Sequence, residues 1–122
     1  MKTLRIVKKE VGEMPVVMTI EHTLENLQKQ VGGYIEVISL GAGIALVINE
    51  EGKLIEAEPN FDLGHDVVCG DCFFVGEGIV DGEMDFIDLT YNQMFLILSE
   101  EGISFQEPKN EPQIGFEIRE WK

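Results

Sequence analysis

The chain is poor in cations: nine Lys and Arg stand against 23 Asp and Glu in 122 residues, for a formal net charge of −14 at pH 7. A field of that sign repels nucleic-acid phosphates, whose affinity comes from Lys and Arg displacing counterions, so direct binding of DNA or RNA is disfavoured. Cysteine is scarce too. Cys69 and Cys72 are too few for the disulfide framework of a small secreted fold, which agrees with a reducing compartment. No stretch reaches the ~18 to 20 apolar residues that a spanning helix needs, so no membrane partner is expected. At the N-terminus only Leu4, Ile6 and Val7 stand where a signal peptide would place ~7 to 15 apolar residues, so the expected address is cytoplasmic.

The missing constellations exclude several chemistries. His22 and His65 are the only histidines, and no Ser or Cys is tied to either by a nucleophile motif. Gly76, Gly78 and Gly82 are not followed by Lys-Ser/Thr and lie in an acidic region, so they read as turns rather than a phosphate loop. Cys69-Gly70-Asp71-Cys72 has redox or zinc spacing but is a single pair, and on one predicted strand its thiols would point to opposite faces. Buried, inert thiols are the expectation. Asp81, Glu83 and Asp85 alternate along an extended segment, yet the calcium-loop Gly and Glu are lacking, so a solvated acidic face is expected. No catalytic residue, metal or cofactor is assigned, and the sequence leans away from an enzyme.

What is present is a globular composition, 44% hydrophobic, in a chain long enough for one core that buries about two-thirds of its unfolded surface. A single domain over 1–122 is expected. The charge is segregated. Between Glu50 and Glu107 fifteen acidic residues face the single Lys53, whereas the rest balances at eight of each sign.

Thr3 to Lys8 and Val16 to Ile20 are β-branched runs around Gly12 and Pro15 and read as a hairpin. Thr23 caps a short amphipathic helix with Leu24, Leu27 and Val31 on one face, closed by Gly32-Gly33. Tyr34 to Leu40 and Ile44 to Ile48 pair around Gly41-Ala42-Gly43, and the turn Asn49-Glu50-Glu51-Gly52 returns the chain through Lys53 to Ala57 as a further strand. Pro59 to Gly64 reads as a loop, Asp66 to Val75 as one strand, and Glu83 to Ile87 as another. Thr90-Tyr91-Asn92-Gln93 fits a capping box with Leu89 and Met94 as hydrophobic staple, opening a helix whose buried stripe is Tyr91, Phe95 and Leu98 and whose terminator is Gly102. Gln113 to Trp121 reads as a last strand. The fold class is therefore α+β, a mainly antiparallel, curved β-meander with two short helices packed on it.

The run Thr23-Leu24-Glu25-Asn26-Leu27-Gln28 through Val31-Gly32-Gly33-Tyr34-Ile35-Glu36-Val37 resembles the signature of the domain-of-unknown-function family numbered thirty-eight forty-six. The resemblance continues in order through Ala45 to Leu54, Pro59-Asn60, and Val68-Cys69-Gly70-Asp71-Cys72-Phe73-Phe74-Val75-Gly76. It implies a phage or mobile-element setting and supplies no catalytic residues. Phe61 stands where the family tends to carry a basic residue, and 102–122 reads as a C-terminal extension of a family-like core over about 3–101.

Two functions follow as expectations. In the first, an acidic face around Glu50, Glu51, Asp81, Glu83, Asp85 and Asp88 meets a basic host or phage protein, with mimicry of DNA charge as one form of it. In the second, a small-ligand or enzymatic pocket lies near Asn49, Asn60, His65 and Asp71, polar residues at predicted loops and strand ends. Either admits a homodimer through sheet edges or Trp121.

Overall fold

The structure is a computed structural model that describes residues 2–52, 55–64 and 66–99. The two hairpins form as their sequences dictate: β1 (Thr3–Lys9) with β2 (Val16–Glu21), and β3 (Ile35–Gly41) with β4 (Ile44–Asn49), all antiparallel. The long strand β7 (Cys72–Val80) lies between them, pairing Val7 with Phe74 on one side and Leu46 with Phe74 on the other. Its second half turns back into β8 (Glu83–Ile87). The strand order is β2-β1-β7-β4-β3 with β8 on β7, so two hairpins are joined by a later strand rather than laid down as a strand-by-strand meander.

Alternation splits the side chains into two cores, because successive residues of a strand face opposite sides. Leu4, Ile6, Ala45, Val47, Phe73 and Val75 face α1 (Leu24–Val31) and meet its Leu27 and Val31. Val7, Leu46, Ile48, Cys72 and Phe74 face the other side. That side is covered by α2 (Tyr91–Leu98) and by a two-stranded ribbon, β5 (Pro59–Asp62) with β6 (Val67–Cys69). With both faces covered, β4 is buried at every position, which is why Ile44-Ala45-Leu46-Val47-Ile48 reads as an unbroken apolar run.

The caps form as expected. Thr23 Oγ1 accepts from the Asn26 amide at 3.2 Å, and Gly32 ends α1 in the left-handed region. The Thr90–Gln93 capping box is complete, with Leu89 and Met94 both buried beside it.

Several expectations are corrected. The segment around Ile55 and Glu56 is a turn, closed by Ile55 N–H to Glu51 O and Ala57 N–H to Gly52 O, and Lys53 and Leu54 lie outside the described residues. Pro59–Asp62 is a strand rather than a loop, because Phe61 inserts into the core opposite Val68. The run from Asp66 to Val75 is two strands, broken where Gly70 takes φ +85°, so Cys69 belongs to the ribbon and Cys72 to the main sheet. Leu24 is exposed while Leu27 and Val31 are buried. The largest departure is in α2, whose buried residues are Met94 and Ile97, leaving Tyr91, Phe95 and Leu98 exposed. Gly102, the segment Gln113 to Trp121, and Trp121 itself lie outside the described residues.

Candidate functional site

The densest polar cluster lies under the ribbon and is built from its bulge. Pro59 pairs with Cys69 and Phe61 with Val68, so Asn60 has no partner across the ribbon, and a bulge of this kind re-aims a side chain. Asn60 points to β1. Its Oδ1 accepts from Lys9 Nζ at 2.8 Å, and its Nδ2 donates to the backbone oxygens of Lys9 and Gly70, each at 2.8 Å. Lys9 Nζ also donates to Glu10 O at 2.8 Å. Lys9 shares the sheet face of Val7, which turns it inward, and only 3% of it is exposed.

Burial pushes the Lys9 ammonium below its ordinary value of 10.5, opposed by the nearby charges of Asp71 and Glu13. Cys72 pairs with Lys9 across the strands, and burial drives its thiol well above the ordinary range. Its Sγ donates weakly to Lys9 O at 3.7 Å. Cys69 and Cys72 are both free and buried. The bonds from Asn60 to Lys9 Nζ, Lys9 O and Gly70 O clamp the ribbon onto the main sheet.

The described residues of the expected ligand pocket, Asn49, Asn60 and Asp71, are engaged in holding the fold. Asn49 Nδ2 donates to Val31 O at 3.1 Å, capping α1 from the end of β4, while its Oδ1 accepts from the Glu51 amide at 2.8 Å. A Cβ on Gly33 would stand 2.8 Å from Asn49 Nδ2, so the glycine leaves room for that amide. Asp71 Oδ1 accepts from the Val11 amide at 2.9 Å and fixes the β1–β2 loop against the start of β7. Asn60 and Asp71 come together around Lys9, whereas Asn49 serves α1, and His65 lies outside the described residues.

The six expected docking carboxylates do not form one patch. β4 and β7 run antiparallel with Ile44 beside Gly76, so Glu50 and Glu51, beyond Asn49, lie at the opposite end of the sheet from Asp81. At the Asp81 end, Glu83 and Asp85 share one face of β8. Asp85 also approaches His22, with 3.4 Å between Oδ1 and Nε2, and Asp88 Oδ1 accepts from the Arg5 amide at 2.7 Å. Asp81 and Glu83 are exposed. Glu77, whose carboxylate accepts from the Ser39 hydroxyl, adds to this end. The strand from Cys72 through α2 to Ser99 carries no Lys or Arg to neutralise it. Among the described residues no group of three or more His, Cys, Asp or Glu is placed to hold a metal ion.

Sequence reasoning missed Lys9. The signal was its odd-numbered place on β1, two residues from the inward-facing Val7, combined with a Pro-Asn element that reads as loop until Phe61 is seen to be core.

No described helix is long and apolar enough to cross a membrane. No curated protein and no solved structure matches the chain. A family model does: Domain of unknown function (DUF3846) matches residues 1–112 and so runs past Gly102.

Proposed function

We propose that this chain, which belongs to the DUF3846 family, is a non-enzymatic accessory protein of a phage or mobile element that docks a basic protein partner. The observation that supports this reading is the acidic end of the sheet, where β7 and β8 themselves carry no Lys or Arg. Glu77, Asp81, Glu83, Asp85 and Asp88 lie along β7 and β8, where the Arg5 backbone amide meets Asp88 and His22 Nε2 stands 3.4 Å from Asp85. A cluster of one sign steers an oppositely charged partner and discriminates against like-charged ones. If that partner is itself a nucleic-acid-binding protein, the same end acts as a mimic of DNA charge. The ligand-pocket reading has less support, because the amide of Asn60 and those of Asn49 are committed to backbone and Lys9 partners.

The test is retention of proteins from a host extract on the immobilised chain at low and high salt, with Asp81→Asn/Glu83→Gln as the paired variant. Both side chains are exposed, so the substitutions leave the core intact. A protein retained by the wild type at low salt, released at high salt and not held by the variant is the expected result. Identical retention by the two chains would refute an acidic docking end.

A further inference from the structure

Among the described residues, the apolar helix α2 is held in one orientation by its contacts to the β3–β4 turn and the core. Its N-terminus is fixed by the Thr90–Gln93 box, Gln93 Nε2 donates to Ala42 O and Gly43 O at 2.9 and 3.1 Å, and Met94 and Ile97 enter the core. The rest of the helix is therefore committed outward. Tyr91, Phe95 and Leu98 follow one another at i, i+4 and i+7, a single line along the helix, and are 78%, 72% and 44% exposed. Leu96 and, at the end of β8, Ile87 are exposed as well. A continuous line of large apolar side chains on a charged surface marks a contact site, because isolated exposed apolar residues are ordinary but contiguous ones are not.

What borders the stripe says what it fits. α2 itself carries no charged residue, and the segment leading into it ends in Asp88, next to Arg5, whose guanidinium lies 5.4 Å from the Tyr91 ring centre. Behind Asp88, β8 turns Glu83 and Asp85 to the face that Ile87 shares with Gly76, the face α2 covers. An apolar centre with an acidic border is the complement of an amphipathic segment with Lys or Arg along its margins. The net charge of −14 opposes a second copy of the chain on this face, and opposes an anionic lipid surface equally.

We infer that the Tyr91–Phe95–Leu98 stripe is the anchor of the docking surface and that its occupant is a basic amphipathic segment of a partner protein. This rests on the functional reading above and assigns its partner class. Phe95 fills the central position and contributes most, as large aromatic residues at the middle of an interface do.

The test uses the full chain and two synthetic peptides of leucine and lysine. One has its leucines at helical i, i+3, i+4, i+7 spacing, and the other has the same composition scrambled. The wild type should bind the amphipathic peptide about tenfold more tightly than the scrambled one, and Phe95→Ala should erase that difference without weakening the scrambled peptide. Asp81→Asn/Glu83→Gln should weaken both. Equal affinity of wild type and Phe95→Ala for the amphipathic peptide would overturn the stripe as anchor while leaving acidic docking intact. Failure to bind either peptide at low salt would overturn both readings. Trp121 is the only tryptophan and serves as an internal reporter. A red shift of its emission on Phe95→Ala without peptide would identify the chain's own C-terminal segment as the occupant. Loss of a dimer on the same substitution would identify a second copy. Either result overturns the proposal.

Discussion

Replacing Asn60 by Ala removes the acceptor from a buried ammonium and two amide hydrogen bonds from backbone carbonyls. A hydrogen bond to a charged group is worth about 1.5 to 3 kcal/mol, and a neutral one about 0.5 to 1.5 kcal/mol. Lys9 keeps Glu10 O, so the expected loss is about 3 kcal/mol rather than the full sum. Lys9→Met keeps the apolar stem and deletes the charge, which costs about 1 kcal/mol for the unmet Asn60 oxygen, less the relief of a desolvated ammonium. The two effects therefore have opposite signs in combination. Adding Lys9→Met to Asn60→Ala removes the charge that the first substitution stranded and should recover roughly 1 to 2 kcal/mol. Urea unfolding measures this: with a slope of about 1 to 3 kcal/mol/M, Asn60→Ala should lower the midpoint by about 1 to 3 M, and the double variant should lie above it. If Lys9→Met costs the same in both backgrounds, the clamp as described is wrong. A pH series adds an independent sign. Because the folded Lys9 pKa is lowered, the unfolded chain holds more protons between that value and 10.5, so wild-type stability gains with rising pH across that window and the gain ends above it. Lys9→Met should lack this increment.

Three further outcomes follow from the same geometry. Cys69 and Cys72 should react with a thiol reagent only after unfolding, as followed by absorbance in native buffer and in denaturant; rapid labelling of the native chain would contradict their burial. Gly76→Ala should destabilise by about 2 to 3 kcal/mol in thermal melts, because its Cβ would stand 2.7 and 2.8 Å from the backbone oxygens of Asp88 and Ile87. Gly33→Ala should cost less, since it meets the end of the Asn49 side chain, which can shift. Thr90→Ala should cost about 1 kcal/mol by removing the side-chain half of the α2 cap, and an unchanged melting temperature would show that the core contacts of Met94 and Ile97 hold the helix without it.

The local features were legible in the sequence and the long-range ones were not. Both hairpins, both caps and the Asn49–Gly52 turn could be read from residue patterns, because each depends on neighbours within a few positions. The ribbon was missed because Pro59-Asn60 carries loop residues and the burial of Phe61 depends on Phe74, far along the chain. The face of α2 was misread for a related reason. Tyr91, Phe95 and Leu98 form as good an apolar line as Met94 and Ile97, and the choice between them is made by Gln93 reaching the β3–β4 turn. At the candidate site, the sequence places Asn60 and Asp71 with Asn49 and His65 in one expected pocket, but the role of Asn60 and Asp71 beside Lys9 needs the register of β1 against β7.

The position of β7 also has a consequence for biosynthesis. Val7 cannot meet Phe74, nor Leu46 the other edge of the same residue, until the ribosome has released the chain beyond β7. Until then the nascent protein holds two separate hairpins, each with apolar residues on both faces and an unpaired edge waiting for the same strand. Such pairings between distant segments form slowly, so this intermediate is the one most exposed to aggregation. Translation stopped short of Cys72 should leave a product that associates through those edges, while a few more residues of β7 would close the sheet.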